Sequence, residues 1–273
     1  MERVTIIKPS KSWQILKINE IREYKELLYF LVWRNLKVRY KQTAIGALWA
    51  IIQPFLTMVV FTLFFGKLAK IPSGGIPYPI FYFSALIIWT YFANSLTFAT
   101  NSIVSYQHII TKIYFPRIFL PLASVIEQLI DFFIAFIILI GMMFFYHIIP
   151  TSRIFFMPLF VFLAIIAAFG VGLWFSALNV QYRDVKYAIN FILQIWLFAS
   201  PIAYSSTLVP AKWRNIYGLN PMVGIIEGFK WTILGKPAPD IKEILISTLI
   251  VFVILITGLF YFKNMERTFA DVV

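Results

Sequence analysis

Glu127 and Asp131 stand four residues apart in an otherwise charge-free stretch, Ile118–Phe145. Spacing i, i+4 puts both carboxylates on one helix face. Acids within so apolar a segment are costly and point to function by default. They could relay a proton, or they could be held by a basic or polar group on a neighbouring helix. A relay needs further acids or histidines deeper in, and the other apolar runs supply none there, which favours pairing.

A second set is basic. Arg34, Lys37 and Lys41 fall at i, i+3 and i+7, with Arg39 apart from that face. Lipid phosphates and membrane topology account for such a cluster. The sharper reading is a face that admits an anionic, lipid-linked substrate, because Arg grips phosphate oxygens bidentately and Lys acts as a point charge. The third set is aromatic: Trp49, Phe55, Phe191, Trp196, Phe198 and Tyr204 lie well inside apolar runs. Most Phe at such depth packs or faces lipid. Trp and Tyr can also stack on the C–H face of a sugar while the N–H or O–H bonds a hydroxyl. Gln53 adds a polar group, and Pro54 beside it removes a backbone donor and crowds the carbonyl of Ala50.

Other chemistry is missing. The chain has no cysteine, which excludes disulfides and thiolate catalysis. His108 and His147 lie in different loops, too few for a histidine metal site. Neither Gly-Lys pair reads as a P-loop: Gly66-Lys67 precedes Leu68, and Gly235-Lys236 precedes Pro237. With no G-x-S-x-G and no H-E-x-x-H, the residues argue against an intrinsic enzyme.

The elements that carry these residues are set by composition. Hydrophobic residues make up 60% of the 273 and charged residues 13%. That surface is too poor in charge for water, so the chain reads as an all-α integral membrane protein. Continuous apolar runs, not alternating ones, exclude a strand barrel. Charge-free gaps predict six spanning helices at about 44–66, 79–101, 119–146, 154–178, 187–205 and 243–262. The net charge of +12 could suggest nucleic acid, but the basic residues cluster outside the runs. Sixteen Lys and Arg flank one side and eight the other, which predicts both termini in the cytoplasm. The N-terminus lacks the layout of a signal peptide.

Residues 12–32 space Ile15, Ile18, Ile21, Tyr24, Leu28 and Leu31 by three or four, predicting an amphipathic helix on the cytoplasmic interface. The stretch 101–116 is short, polar and cytoplasmic. The external segment 205–240, with four prolines, predicts short re-entrant helices. One membrane domain therefore covers 1–273: a cytoplasmic segment 1–41, a six-span core 42–262 and a tail 263–273.

Several short motifs occur together. Arg39-Tyr40-Lys41-Gln42-Thr43-Ala44-Ile45-Gly46-Ala47-Leu48-Trp49 is followed by Gln53-Pro54, and Phe115-Pro116-Arg117 by Leu120-Pro121-Leu122-Ala123. Tyr182-Arg183-Asp184-Val185 and Ser200-Pro201-Ile202-Ala203-Tyr204 bracket the fifth run; Trp213-Arg214 and Leu219-Asn220-Pro221-Met222 come after it. In order and spacing this resembles the permease subunit of polysaccharide-exporting ABC transporters, the O-antigen export (Wzm-like) type, along nearly the whole chain.

The resemblance implies a homodimer in the bacterial inner membrane with two copies of a separate ATPase subunit, which would hold the ATP and Mg; this chain would carry no cofactor. It implies that the first and fifth spans line a channel for a polymer on a lipid pyrophosphate, through Trp49, Gln53, Phe55, Phe191, Trp196, Phe198 and Tyr204. Arg34, Lys37, Arg39 and Lys41 would admit the phosphate. Ser105, Tyr106, Gln107 and His108 would form a coupling helix on the ATPase. Helices at 209–216 and 220–233, with Trp213, Arg214, Asn220 and Pro221, would gate the outer end. Teichoic-acid and capsule exporters share these patterns. Rival readings are a drug or small-lipid permease of the same superfamily, and a membrane glycosyltransferase, which would need clustered acids at a membrane face.

Overall fold

The computed structural model describes residues 24–41, 48–235 and 238–269. Gln42–Ala47 and the part of the amphipathic helix before Tyr24 lie outside them. The described residues are helical, without strands. The order is α1 (Lys25–Lys41), α2 (Trp49–Phe61) continued by a π-helix (Thr62–Leu68), α3 (Tyr78–Ser105), α4 (Gln107–Ile110) and α5 (Phe119–Phe145). A 3-10 turn (Ser152–Phe156) then leads into α6 (Met157–Gln181), followed by α7 (Val185–Phe198), α8 (Ala211–Tyr217), α9 (Pro221–Leu234) and α10 (Ile241–Met265).

Among the described residues, five helices are long and apolar enough to cross a membrane: Ile51–Leu68, Tyr78–Ser105, Phe119–Phe145, Ser152–Gln181 and Ile241–Met265. The expected fifth span differs. Its helix stops at Phe198 after 14 residues, about 21 Å against a hydrocarbon core of about 30 Å. Pro201 is the physical reason, since it cannot donate to a helical ladder and restricts Ser200 before it. Tyr204 thus lies past the helix, in the turn that follows it. The second span runs longer than expected, so Ser105 is its last residue and not part of a separate coupling helix.

Helix ends follow local chemistry. Asn220 caps α9, its side chain accepting from the Met222 N–H, with Pro221 in the first turn where no donor is required. Gly235, at φ 65°, ends that helix in the left-handed region open to glycine. Asp240 caps α10 by accepting from the Lys242 N–H.

α3 is the central helix, buried over most of its length among α5, α6 and α9. α10 lies along α6, and glycines set that approach. A Cβ on Gly258 would sit 2.6 Å from the Gly170 carbonyl oxygen, and one on Gly170 would sit 2.9 Å from the Leu255 backbone. Hydrocarbon gives no hydrophobic drive between helices, so close backbone packing of this kind carries the association. A separate cluster at the α4 end joins Leu31, Ile110, Phe115, Phe119, Phe262 and Phe269.

Candidate functional site

Arg39 gathers the two acids. Its Nη2 donates to Glu127 Oε1 at 2.8 Å, and its Nη1 donates to Asp131 Oδ2 at 3.0 Å. Nη1 also reaches Gln128 Oε1 at 3.3 Å, and Gln128 Nε2 donates to Glu127 Oε1 at 3.2 Å. The Tyr40 hydroxyl donates to Asp131 Oδ1. Burial, reinforced by that bond, pushes the Tyr40 phenol up to about 12. The Arg39 guanidinium also stacks 4.4 Å from the Phe98 ring. One planar fork thus serves two carboxylates a helical turn apart, so the i, i+4 spacing and the choice of arginine over lysine have one cause.

Arg34, Lys37 and Lys41 remain exposed on α1. Arg34 lies over the Tyr106 ring at 5.0 Å and Lys37 over the Trp33 ring at 4.5 Å. Arg39, grouped with them from sequence, points instead at the carboxylates.

The expected coupling residues lie at the break between α3 and α4. Tyr106 leaves helical geometry there, and its hydroxyl donates to Asn35 Oδ1 of α1. Burial raises the Tyr106 phenol above its ordinary range. Gln107 opens the four-residue α4; Ser105 and His108 are exposed beside it.

The aromatic set divides. Trp49, Phe55, Phe191 and Phe198 are exposed on α2 and α7. Trp49 and Gln53 border a small cavity of about 40 Å³ in which Thr90, Asn94, Gln128 and Asp131 stand among apolar residues such as Ile87 and Phe132. Trp196 is half-buried, edge-on to Trp89 and Phe92, and its indole N–H donates to Asn220 Oδ1 at 2.8 Å. The Tyr204 hydroxyl donates to the Phe198 carbonyl and accepts from the Tyr217 hydroxyl, each at 3.0 Å.

Asn220 is the hub of the opposite end. Besides capping α9, its Nδ2 donates to the Ala199 carbonyl and to Ser200 Oγ, both at 3.0 Å. Arg214 donates to the Val209 and Thr207 carbonyls, folding α8 back on the segment before it, while Trp213 stays exposed.

The pair missed from sequence is Glu227 and Lys230. Lys230 is 0% exposed; its Nζ donates to Glu227 Oε1 at 3.0 Å and to the Pro201 carbonyl at 2.8 Å. Glu227 Oε1 also accepts from the Ser206 N–H at 3.0 Å. This network ties the turn after α7 to α9. Lys230, one of the eight basic residues counted on the external side from sequence, therefore belongs to a buried pair. Two opposite charges at i, i+3 in the otherwise uncharged Pro221–Leu234 were the available signal. Among the described residues, no group of His, Asp and Glu could hold a metal ion.

The arrangement offers ionic fasteners between helices and exposed aromatics on α2 and α7. A family model, ABC-2 type transporter, matches residues 26–234. The O-antigen export system permease protein RfbA of Myxococcus xanthus is 27% identical over 258 residues, 93% of this chain and 98% of that protein. A protein of the same name from Klebsiella pneumoniae is 28% identical over 248 residues, 90% of this chain and 95% of its own. A second from Klebsiella pneumoniae is 28% identical over 249 residues, with the same coverage. The chain, a multi-pass membrane protein and Wzm-like permease by these likenesses, belongs to the ABC-2 type transporter family.

Proposed function

We propose that this chain is the channel-forming subunit of an ATP-driven exporter that carries a lipid-linked polysaccharide, of O-antigen type, from the cytoplasm to the outer side of the inner membrane. The observation that carries the reading is the likeness, over nine-tenths of the chain or more, to relatives named as O-antigen export permeases. The missing P-loop fits a division of labour in which a separate ATPase holds ATP and Mg. Two copies of this chain and two of the ATPase make the working assembly.

In this reading α7 and the turn after it complete a sixth crossing, and both termini face the cytoplasm. α8 and α9 dip toward the outer face as gate helices. Tyr106 and Gln107 meet the ATPase, Arg34, Lys37 and Lys41 receive the phosphate, and the exposed faces of α2 and α7 meet the polymer. A sugar chain cannot leave all its hydroxyls unpaired in hydrocarbon, since each costs about 2–7 kcal/mol. Aromatic walls accept ring faces without holding one register.

Co-purification tests the proposal. A tagged chain is expected to bring down a nucleotide-binding subunit in equal amount, together with a lipid-linked glycan identified by mass spectrometry. A chain that purifies without an ATPase overturns the exporter reading. An ATPase partner with a drug or simple lipid as cargo overturns the glycan.

A further inference from the structure

Between the first span and α5 lies a groove of about 660 Å³ with an apolar lining, formed by Phe55, Val59 and Leu63 on one side and Ile138, Met142 and Phe145 on the other. It is separate from the small cavity at Asp131 and occupies the other half of both helices. Three features distinguish it from ordinary lipid-facing surface.

The first is its floor. Gly141 lines the groove, and a Cβ built there would meet nothing within 4 Å. Glycine is the poorest helix former after proline. At Gly141 neither close packing nor a positive φ requires it, in contrast to Gly170 and Gly258, which press backbone on backbone. What the missing side chain provides is depth. The second feature is the opposite wall, where the helix widens to π geometry over Thr62–Leu68; such segments recur at functional sites. The third is charge. Lys67 is the single charged residue lining the groove among the described residues, and it stands at the end where both walls finish. It is exposed, with no hydrogen bond or ion pair among the described residues. From Phe55 to Lys67 the wall rises by at most about 18 Å, less for the wider π segment, close to the ~15 Å of one hydrocarbon leaflet.

A cation at the mouth, an apolar trough one leaflet deep and a glycine that keeps it open fit one occupant. We propose that the groove holds an acyl chain of an anionic phospholipid, with its phosphate on Lys67. A lone lysine is a point charge, suited to the single phosphate of a bilayer lipid, whereas a pyrophosphate calls for several donors. The groove shares Phe55 with the face of α2 assigned to the polymer, but most of its remaining lining lies beyond that residue toward Lys67 and on α5.

Native mass spectrometry of the intact, delipidated complex tests this after exposure to vesicles of phosphatidylglycerol or phosphatidylcholine with the same acyl chains. The expected result is one retained lipid per chain, with phosphatidylglycerol favoured about five-fold, the order for one lysine beside an anionic headgroup. Lys67→Gln, at an exposed position, is expected to keep lipid but lose the headgroup preference. Gly141→Phe fills the trough and is expected to lose the lipid while leaving the unfolding temperature of the delipidated protein unchanged. Equal retention of both headgroups by the parent chain overturns the proposal. So does unchanged retention in Gly141→Phe, or a polyprenyl-linked glycan as the species that this variant displaces. Should Gly141→Phe not fold, the Lys67→Gln comparison decides alone.

Discussion

Arg39→Met removes the cation shared by Glu127 and Asp131. Glu127 is 3% exposed, so its carboxylate would be left charged in a nearly dry setting, while Arg39 and Asp131 are 24% and 22% exposed. Breaking a buried pair costs about 3–5 kcal/mol because one charge is stranded. Water at Asp131 relieves part of that, which places the loss near the lower end, at about 3 kcal/mol. For a chain of this size each kcal/mol moves the midpoint by about 2–4 °C, so a fall of about 6–12 °C is expected. Thermal unfolding of the purified protein, followed by loss of the monodisperse peak on size-exclusion chromatography, measures it.

The triple change Arg39→Met, Glu127→Leu, Asp131→Leu separates a stranded charge from lost packing. Replacing a whole buried ionic cluster by apolar groups is often neutral or stabilising. The triple variant should therefore regain most of the loss, short of about 1 kcal/mol for the Tyr40 hydroxyl deprived of Asp131. Arg39→Lys should fall between, because an ammonium lacks the fork that reaches both carboxylates. An Arg39→Met midpoint within about 2 °C of the parent, or a triple variant less stable than the single one, would refute the reasoning.

Lys230→Met strands Glu227 and leaves the Pro201 carbonyl without its donor; proteolysis within Ala199–Leu208 should speed up at least ten-fold, about 1.4 kcal/mol of lost local protection. Tyr106→Ala with Gln107→Ala should assemble with the ATPase yet export nothing, as scored by surface glycan in cells; normal export counts against a coupling role. Trp49→Ala and Phe198→Ala should each slow export a few-fold at about 1 kcal/mol per contact, and together nearly stop it. Trp196 is unsuited to such a test because its indole also holds Asn220, so its removal would confuse packing with transport.

The long spans were legible because about 20 apolar residues without charge have few alternatives to a spanning helix. Short helices within 205–240 were legible from its four prolines, while bounds close to those of α8 and α9 came from the resemblance. The end of the fifth helix was not legible, because hydropathy continues through Ala199–Tyr204 while Pro201 ends the ladder, and composition does not weigh one missing donor. The pairing of Glu127 and Asp131 was expected, but not Arg39 as the partner: 88 residues separate it from Glu127, and no local pattern encodes that distance. Lys230 was counted as a loop charge because α9 lay in a segment read as external, and its burial depends on a turn from a different part of the chain.

The two ionic networks have one physical logic. α1 buries only Leu31 fully, with Leu27, Leu28 and Val32 partly buried against the same cluster, so apolar burial alone fixes its attachment loosely. Directional bonds add to it: Arg39 and Tyr40 to α5, and Asn35 to Tyr106. Lys230 fastens the turn after α7 in the same way at the opposite end. Such bonds specify register as well as attachment. Sliding α1 along α5 by one helical turn, about 5.4 Å, would part Arg39 from at least one carboxylate and Tyr40 from Asp131. α1 and the first half of α5 are therefore expected to move as one body, and because Asn35 also holds Tyr106, a push on the α3–α4 break reaches α1 and through it α5.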